Sequence, residues 1–350
     1  MPAIDQLQLN DLINQATKEN ATAIYFNISN YPTIEVYGSL KPLKDRPILT
    51  KDFLDTMADS FLDDNQKSVL EEKRDLTIGY NFSENIRIIV DFFYQKDSLS
   101  ITIKPISSLI KDVSELGLPS IIDYILTLNS GLVIICGPAS SGRTTTILSI
   151  LQYINKSQEK RITTIEEPIE YEFINDKSII QQREVLSDVE SFSVGLKDVI
   201  DESVDVVYVS KINTAEEINL MLQVANSGKL VFVIMDSDSI AALLDKIFGS
   251  FDLSEKEWVR SLVIESLKVI INQRLITKSG GGQVLASEVF TMSSSGKSIV
   301  KTGKFDQLRS VMQTSRRENM MDLDSSLNIL IQRGLIKPEE AKKYSSENGF

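Results

Sequence analysis

The 350-residue chain has no histidine and one cysteine, Cys136. The first absence excludes imidazole acid–base chemistry and imidazole metal ligation. A single thiol builds neither a disulfide framework nor a four-thiolate zinc site. It accords with a reducing cytoplasm, and Cys136 itself reads as core within an apolar strand. Long hydrophobic runs are also missing. The densest, Leu132-Val133-Ile134-Ile135-Cys136, is far short of the ~20 residues a spanning helix needs. The start, MPAIDQLQLN, has no basic segment followed by an apolar one, so no signal peptide is expected. Membrane association is expected only through a partner. Basic charge is in deficit, with 37 Lys and Arg against 49 Asp and Glu and a net charge of −12. That argues against a direct nucleic-acid binder, which needs a basic face to neutralise phosphates.

What is present is ordinary for a globular protein: 42% apolar and 25% charged residues, in a length that suits two domains. The amino-terminal part mixes periods. Residues 4–16 predict an amphipathic helix, and 23–28 and 33–38 predict strands, the second ending at the Gly38 turn. Residues 51–72 read as helical, and 86–93 and 99–103 as paired strands. This is an α+β domain. Residues 105–119, with their Pro, Ser and Gly, read as a connector. The expected division is 1–105, a linker at 106–119, and 120–350.

Beyond the linker, short unalternating apolar runs at 132–136, 162–165, 206–209 and 230–235 suit strands covered on both faces. Helical patterns lie between them, which makes this part α/β. Ile218, Met221, Leu222 and Ala225 share one helical face. Val259, Leu262, Val263, Ser266, Leu267 and Ile270 predict a longer helix, with Ser254 and Glu257 as its capping box. The tail after Gly303 reads as two or three helices, with Leu323, Leu327, Leu330 and Ile331 facing a core.

The strongest chemical signal is Gly137-Pro138-Ala139-Ser140-Ser141-Gly142-Arg143-Thr144-Thr145, set between a buried strand and a helix. Glycines let the backbone curl so that several N–H groups face one anion, and the helix N-terminus adds its dipole. Thr144 stands where a hydroxyl would ligate magnesium. The lysine position of such loops holds Arg143, whose planar fork does not fill a compact ammonium site unchanged. The bland alternative is a Gly/Ser-rich turn that binds nothing.

Downstream segments carry a resemblance. Ile162-Thr163-Thr164-Ile165-Glu166-Glu167-Pro168-Ile169-Glu170-Tyr171 resembles the acidic box of secretion-type ATPases. Gln182-Arg183-Glu184-Val185 resembles the segment that follows it. Ser227-Gly228-Lys229-Leu230-Val231-Phe232 is similar to the family's TGHLVF. Glu265-Ser266-Leu267, Gln273-Arg274-Leu275 and Gly280-Gly281-Gly282 continue the order. Together they resemble the type IV pilus retraction ATPases of the PilT and PilU type over most of the chain. The resemblance implies a PAS-like N-terminal domain, a RecA-like P-loop domain, ATP and magnesium as cofactors, and a hexameric ring. It also implies a cytoplasmic location, peripheral to the inner membrane through docking on the pilus platform protein.

Departures from the family fall on catalytic positions. Where the family's Walker B strand ends Gly-Glu-Met-Arg-Asp, this chain has Ser210-Lys211-Ile212-Asn213-Thr214, so the water-orienting glutamate is Lys211. The His box is Met235-Asp236-Ser237-Asp238-Ser239-Ile240, and the histidine of HLVF is Lys229. Two N-terminal arginines of the family align with Ile89 and Asp97, while Lys104 keeps a positive charge. The retraction-linked AIRNLI element reads Ser295-Gly296-Lys297-Ser298-Ile299-Val300. Glu166 and Glu167 remain, as site carboxylates or as a solvated strand end. Lys211 is either drift after relaxed selection or a compensating cation near the triphosphate. The expectation is a nucleotide-binding motor subunit with weak or absent hydrolysis, in a homo- or hetero-hexamer with a PilT-like ATPase. An active ATPase with a rebuilt site and an adaptor that binds no nucleotide are the alternatives.

Overall fold

The computed structural model describes residues 6–345 except 20, 37, 84–85 and 108–109. Two compact units emerge: Met1–Leu109 with Pro168–Glu172, and Ile110–Glu167 with Phe173–Phe350.

The first unit contains α1 (Gln6–Lys18), β1 (Ala23–Phe26), β2 (Thr33–Val36), β3 (Ser39–Pro42), α2 (Lys51–Phe61), α3 (Asp64–Lys73), β4 (Asp75–Ser83), β5 (Ile86–Gln95) and β6 (Ser98–Ser107). Its strands form one antiparallel sheet in the order β3-β2-β1-β6-β5-β4. Ile13, Ile24, Ile34, Met57, Ile88 and Phe92 are fully enclosed in its core. The helix expected over 51–72 is two helices. Asp63 interrupts it by accepting from Gln66 N at 2.8 Å, while Gln66 Oε1 accepts from Asp63 N at 3.1 Å. That reciprocal cap starts α3 afresh. The border expected at 105 falls inside β6, where Pro105 lies opposite Ile88. Of the expected segments, Ile4, Tyr37 and residues 108–109 lie outside the described residues.

The second unit begins with α4 (Ile121–Ile125), β7 (Gly131–Gly137), α5 (Arg143–Ser157), β8 (Arg161–Glu166), β9 (Ile179–Glu184) and α6 (Phe192–Asp201). It continues through β10 (Val206–Val209), α7 (Ala215–Asn226), β11 (Leu230–Asp236), α8 (Ile240–Gly249), α9 (Leu253–Ser266) and β12 (Leu267–Thr277). It closes with β13 (Gln283–Thr291), α10 (Ser294–Thr302), α11 (Leu308–Thr314), α12 (Leu323–Gln332) and α13 (Pro338–Ala341). The sheet order is β13-β12-β7-β11-β10-β8-β9. All neighbours are parallel except β12 and β13.

The unalternating apolar runs have their reason here. Along β7, Leu132, Ile134 and Cys136 join the core on one face, and Val133 and Ile135 join the core on the other. Successive strand side chains point to opposite faces, and helices cover both. Two helical expectations fail, one at each end of α9; the first is at residue 266. α9 stops there, and Leu267, Val269, Ile270 and Ile271 continue as β12, paired with β7 on one edge and β13 on the other. Sheet pairing overrides a stripe that also fits a helical period. The capping box expected at Ser254 and Glu257 is absent, because α9 starts two residues earlier, at Leu253 behind Asp252. Glu257 instead lies 3.5 Å from Arg260 Nε.

Candidate functional site

The phosphate loop leaves the end of β7 and enters α5. Gly137 has φ +147°, and a Cβ there would stand 2.5 Å from the Gln273 carbonyl oxygen and 2.6 Å from Ser141 Oγ. Only glycine fits this close approach. Gly142, at φ +87°, occupies the cap position of α5 and offers its first turn no side-chain acceptor. Ser141 Oγ is buried without a hydrogen-bond partner. A buried unpaired hydroxyl beside uncapped helix amides suits a polar, anionic guest. Pro138 and Thr144 are half-buried, and Ala139, Ser140 and Thr145 are exposed. Among the described residues no cluster of three or more Asp, Glu, His or Cys could hold a metal alone. In nucleotide sites magnesium is usually held by few protein groups together with phosphate oxygens. The residues present fit a nucleotide phosphate chain.

Arg143 opens α5. Its Nη1 donates to the Asp236 carboxylate and, at 3.2 Å, to the Met235 carbonyl. Asp236 pairs opposite Gly137 in the β7–β11 register, so the strand beside the loop holds the loop's own cation.

The carboxylates come from the next strands. Glu166 ends β8 and is 1% exposed, which removes the solvated-strand-end alternative for it. Its Oε1 accepts from Thr164 Oγ1 at 2.6 Å and Gln182 Nε2 at 3.1 Å. The Glu167 backbone N–H donates to Ser210 Oγ at 3.2 Å. Lys211 Nζ lies 3.6 Å from Glu167 Oε2. β8 and β10 are parallel neighbours, so the acidic box and Lys211 share the carboxyl edge of the sheet, where α/β folds bind their ligands.

Behind the loop, Gln273 Nε2 donates to Thr146 Oγ1 at 2.9 Å, both buried. On β13, Glu288 accepts from the Ile240 N–H that opens α8, at 3.1 Å. Burial pushes the Glu288 carboxyl up to about 7, with the Ile240 N–H opposing and Asp322 adding to the shift. Burial also pushes the Cys136 thiol up, which keeps it an inert core group.

Other positions singled out from the sequence lie elsewhere. Lys229 precedes β11, at the end opposite Asp236, and its Nζ donates to the Ile200 carbonyl at 2.8 Å. In the first unit Lys104 pairs with Asp91 at 2.6 Å, Asp97 stands 3.4 Å from Arg74, and Ile89 is buried. Residues 295–300 lie on α10, with Ile299 and Val300 in the core. Sequence reasoning named Asp236, Gln182 and Gln273 only within quoted motifs, without a role of their own, and missed Glu288. Asp236 also left a signal as a carboxylate closing an apolar strand run, whereas Glu288 left none.

A glycine loop between a central parallel strand and a helix, with a buried carboxylate ending a nearby strand, defines a RecA-like P-loop nucleotide-binding protein. The chain belongs to the type II/IV secretion system protein family, whose family model matches residues 107–323, and within it to the PilT-like type IV pilus retraction ATPases. It is 32% identical to a twitching motility protein of Neisseria gonorrhoeae over 91% of this chain and 85% of that one. It is 30% identical to the type IV pilus retraction ATPase PilT of Pseudomonas aeruginosa over 96% and 98%. The crystal structure of the pilus retraction motor PilT with bound ADP superposes with a TM-score of 0.85 at 31% identity, covering 97% of each chain. Among the described residues no helix is long and apolar enough to cross a membrane.

Proposed function

We propose that this chain is a nucleotide-binding subunit of a type IV pilus retraction motor with weak or absent ATP hydrolysis. It works in a homo- or hetero-hexamer with a PilT-like ATPase, in the cytoplasm, held at the inner membrane through the pilus platform protein. The pilus role follows from the PilT-like relatives. The observation that carries the impaired chemistry is the Lys211 ammonium 3.6 Å from the Glu167 carboxylate.

The residues divide the work as follows. The backbone N–H groups of Ala139 to Thr145 and the Ser141 hydroxyl receive the phosphates. The Thr144 hydroxyl would hold magnesium, which when bound with ATP would neutralise charge on the phosphate oxygens. Arg143 supplies a guanidinium where such loops carry an ammonium. Glu166, with Thr164 and Gln182 on one oxygen, keeps a carboxyl group at the sheet edge. Phosphoryl transfer depends on positioning and charge stabilisation, including a group that orients the attacking water. Lys211 stands where the resemblance places that acid, and its charge offsets Glu167.

Fluorescent-nucleotide titration and steady-state turnover test this reading together. Magnesium–ATP binding that weakens in Thr144→Ala is expected, with turnover far below the ~1–100 s⁻¹ of competent phosphoryl-transfer enzymes. Equal affinity in wild type and Thr144→Ala would refute the placement of the site. Wild-type turnover within that range would refute the loss of hydrolysis, leaving a site rebuilt around Arg143, Glu166 and Glu167.

A further inference from the structure

We infer that Asp236 is a specificity-determining residue of the phosphate site, which by holding Arg143 disfavours nucleoside triphosphate relative to diphosphate. The inference rests on the nucleotide-binding reading above and goes beyond it in assigning the preference to one ion pair.

Arg143 is the only charged side chain among residues 137–145. Its side chain is 14% exposed and its guanidinium is already engaged by the Asp236 carboxylate and the Met235 carbonyl. Asp236 is not a loose surface partner. The backbone pairs it opposite Gly137. Two residues on, the Asp238 carbonyl accepts from Arg274 Nη2 at 2.7 Å. Two further on, the Ile240 N–H donates to Glu288. The segment that carries the carboxylate is thus tied on both sides of it, while the carboxylate itself is 66% exposed and displaceable.

Two consequences follow for an incoming phosphate chain. A terminal phosphate that seeks Arg143 competes with a carboxylate already in place, whose effective concentration is high because the fold holds it there. The same phosphate is brought near a like charge, which disfavours it. A diphosphate carries less charge, and the loop amides and the Ser141 hydroxyl hold it without Arg143. Removing the charge on Asp236 frees the guanidinium and removes the repulsion, and both effects act on the third phosphate most.

The test is titration of the full-length protein with magnesium–ADP and with a magnesium-bound non-hydrolysable ATP analogue. Wild type, Asp236→Asn and Asp236→Ala are compared, each first shown by thermal melting to be folded. Wild type is expected to bind the diphosphate more tightly. Asp236→Asn should raise affinity for the ATP analogue by about tenfold, with a smaller gain for ADP. In an Arg143→Ala background the same Asp236→Asn change should alter the preference less, because only the direct repulsion is then removed. An unchanged triphosphate-to-diphosphate ratio in both Asp236 variants would overturn the assignment while leaving nucleotide binding intact. A gain as large without Arg143 as with it would overturn it as well. Absence of nucleotide binding in all variants would instead remove the underlying reading, and this inference with it.

Discussion

The Lys211 ammonium lies 3.6 Å from the Glu167 carboxylate, at the carboxyl ends of two adjacent parallel strands. Lys211 is 51% exposed and Glu167 is 35% exposed, so solvent screens the pair. Exposed pairs of this kind contribute ~0–1 kcal/mol. Lys211→Ala should therefore shift a chemical-denaturation curve little, and it should not restore turnover, since no acid replaces the lysine. The double change Arg143→Lys with Lys211→Glu should give more hydrolysis than either single change. A phosphate-release assay checks this, and turnover rising equally in Lys211→Ala would show that the lysine only blocks an otherwise complete site.

Gly137 should tolerate no side chain. Its φ of +147° is a glycine conformation, and the added Cβ would meet the Gln273 carbonyl and Ser141. The strained backbone alone costs about 1–3 kcal/mol. Gly137→Ala should lower the melting temperature and weaken nucleotide binding together. Gly228→Ala serves as comparison, because a Cβ there meets nothing within 4 Å although its φ is +93°. Retained binding in folded Gly137→Ala would show that the loop is not the cradle.

Glu288 makes stability depend on pH. Its folded value, about 7, lies above its ordinary 4.5 because burial disfavours the charged form. The folded state therefore binds this proton more tightly than the unfolded chain. The contribution is fully present below the unfolded value and is lost as pH rises through the folded one. The loss should amount to at most about 3 kcal/mol. Glu288→Gln keeps an acceptor for the Ile240 N–H, so its melting temperature should fall less than that of wild type between about pH 5 and pH 8. Calorimetric melts across that range decide it, and parallel curves for the two proteins would contradict the shift.

Gln273 and Thr146 should be coupled. They are buried together and joined at 2.9 Å. Gln273→Leu leaves the Thr146 hydroxyl without that partner, at a cost of about 1–3 kcal/mol. Adding Thr146→Val should recover part of the loss, because no unpaired hydroxyl remains. Urea denaturation of the two single variants and the double measures the coupling. Additive effects would mean that the bond contributes nothing.

Local pattern makes several features legible in the chain itself. The phosphate loop is a contiguous stretch whose glycines, flanking strand and following helix follow from neighbours in the chain. Ile134 and Val133 enter opposite cores, and an unalternating run announces that directly. The acidic box is legible too, although not the burial of Glu166, which depends on Thr164 and on Gln182 from the next strand. Local pattern misleads at residues 259–270, where the apolar spacing fits a helix face as well as a strand. The fit of Leu267–Thr277 between β7 and β13 decides it.

The sequence by itself thus determined the strand, loop and helix of the phosphate-loop motif, which acids and which cation stand at that edge of the sheet, and to which family the motifs belong. Tertiary structure alone decided what those side chains do in the folded chain. Arg143 and Asp236 are 93 positions apart, and only the parallel pairing of β7 with β11 places them together. The substituted Lys229 proved remote from the loop, because it precedes the same strand that Asp236 ends. Glu288 acquires its raised pKa only when burial removes water from its carboxylate. Backbone propensity acts between neighbours along the chain, whereas ion pairs and desolvation depend on which distant segments the sheet brings side by side.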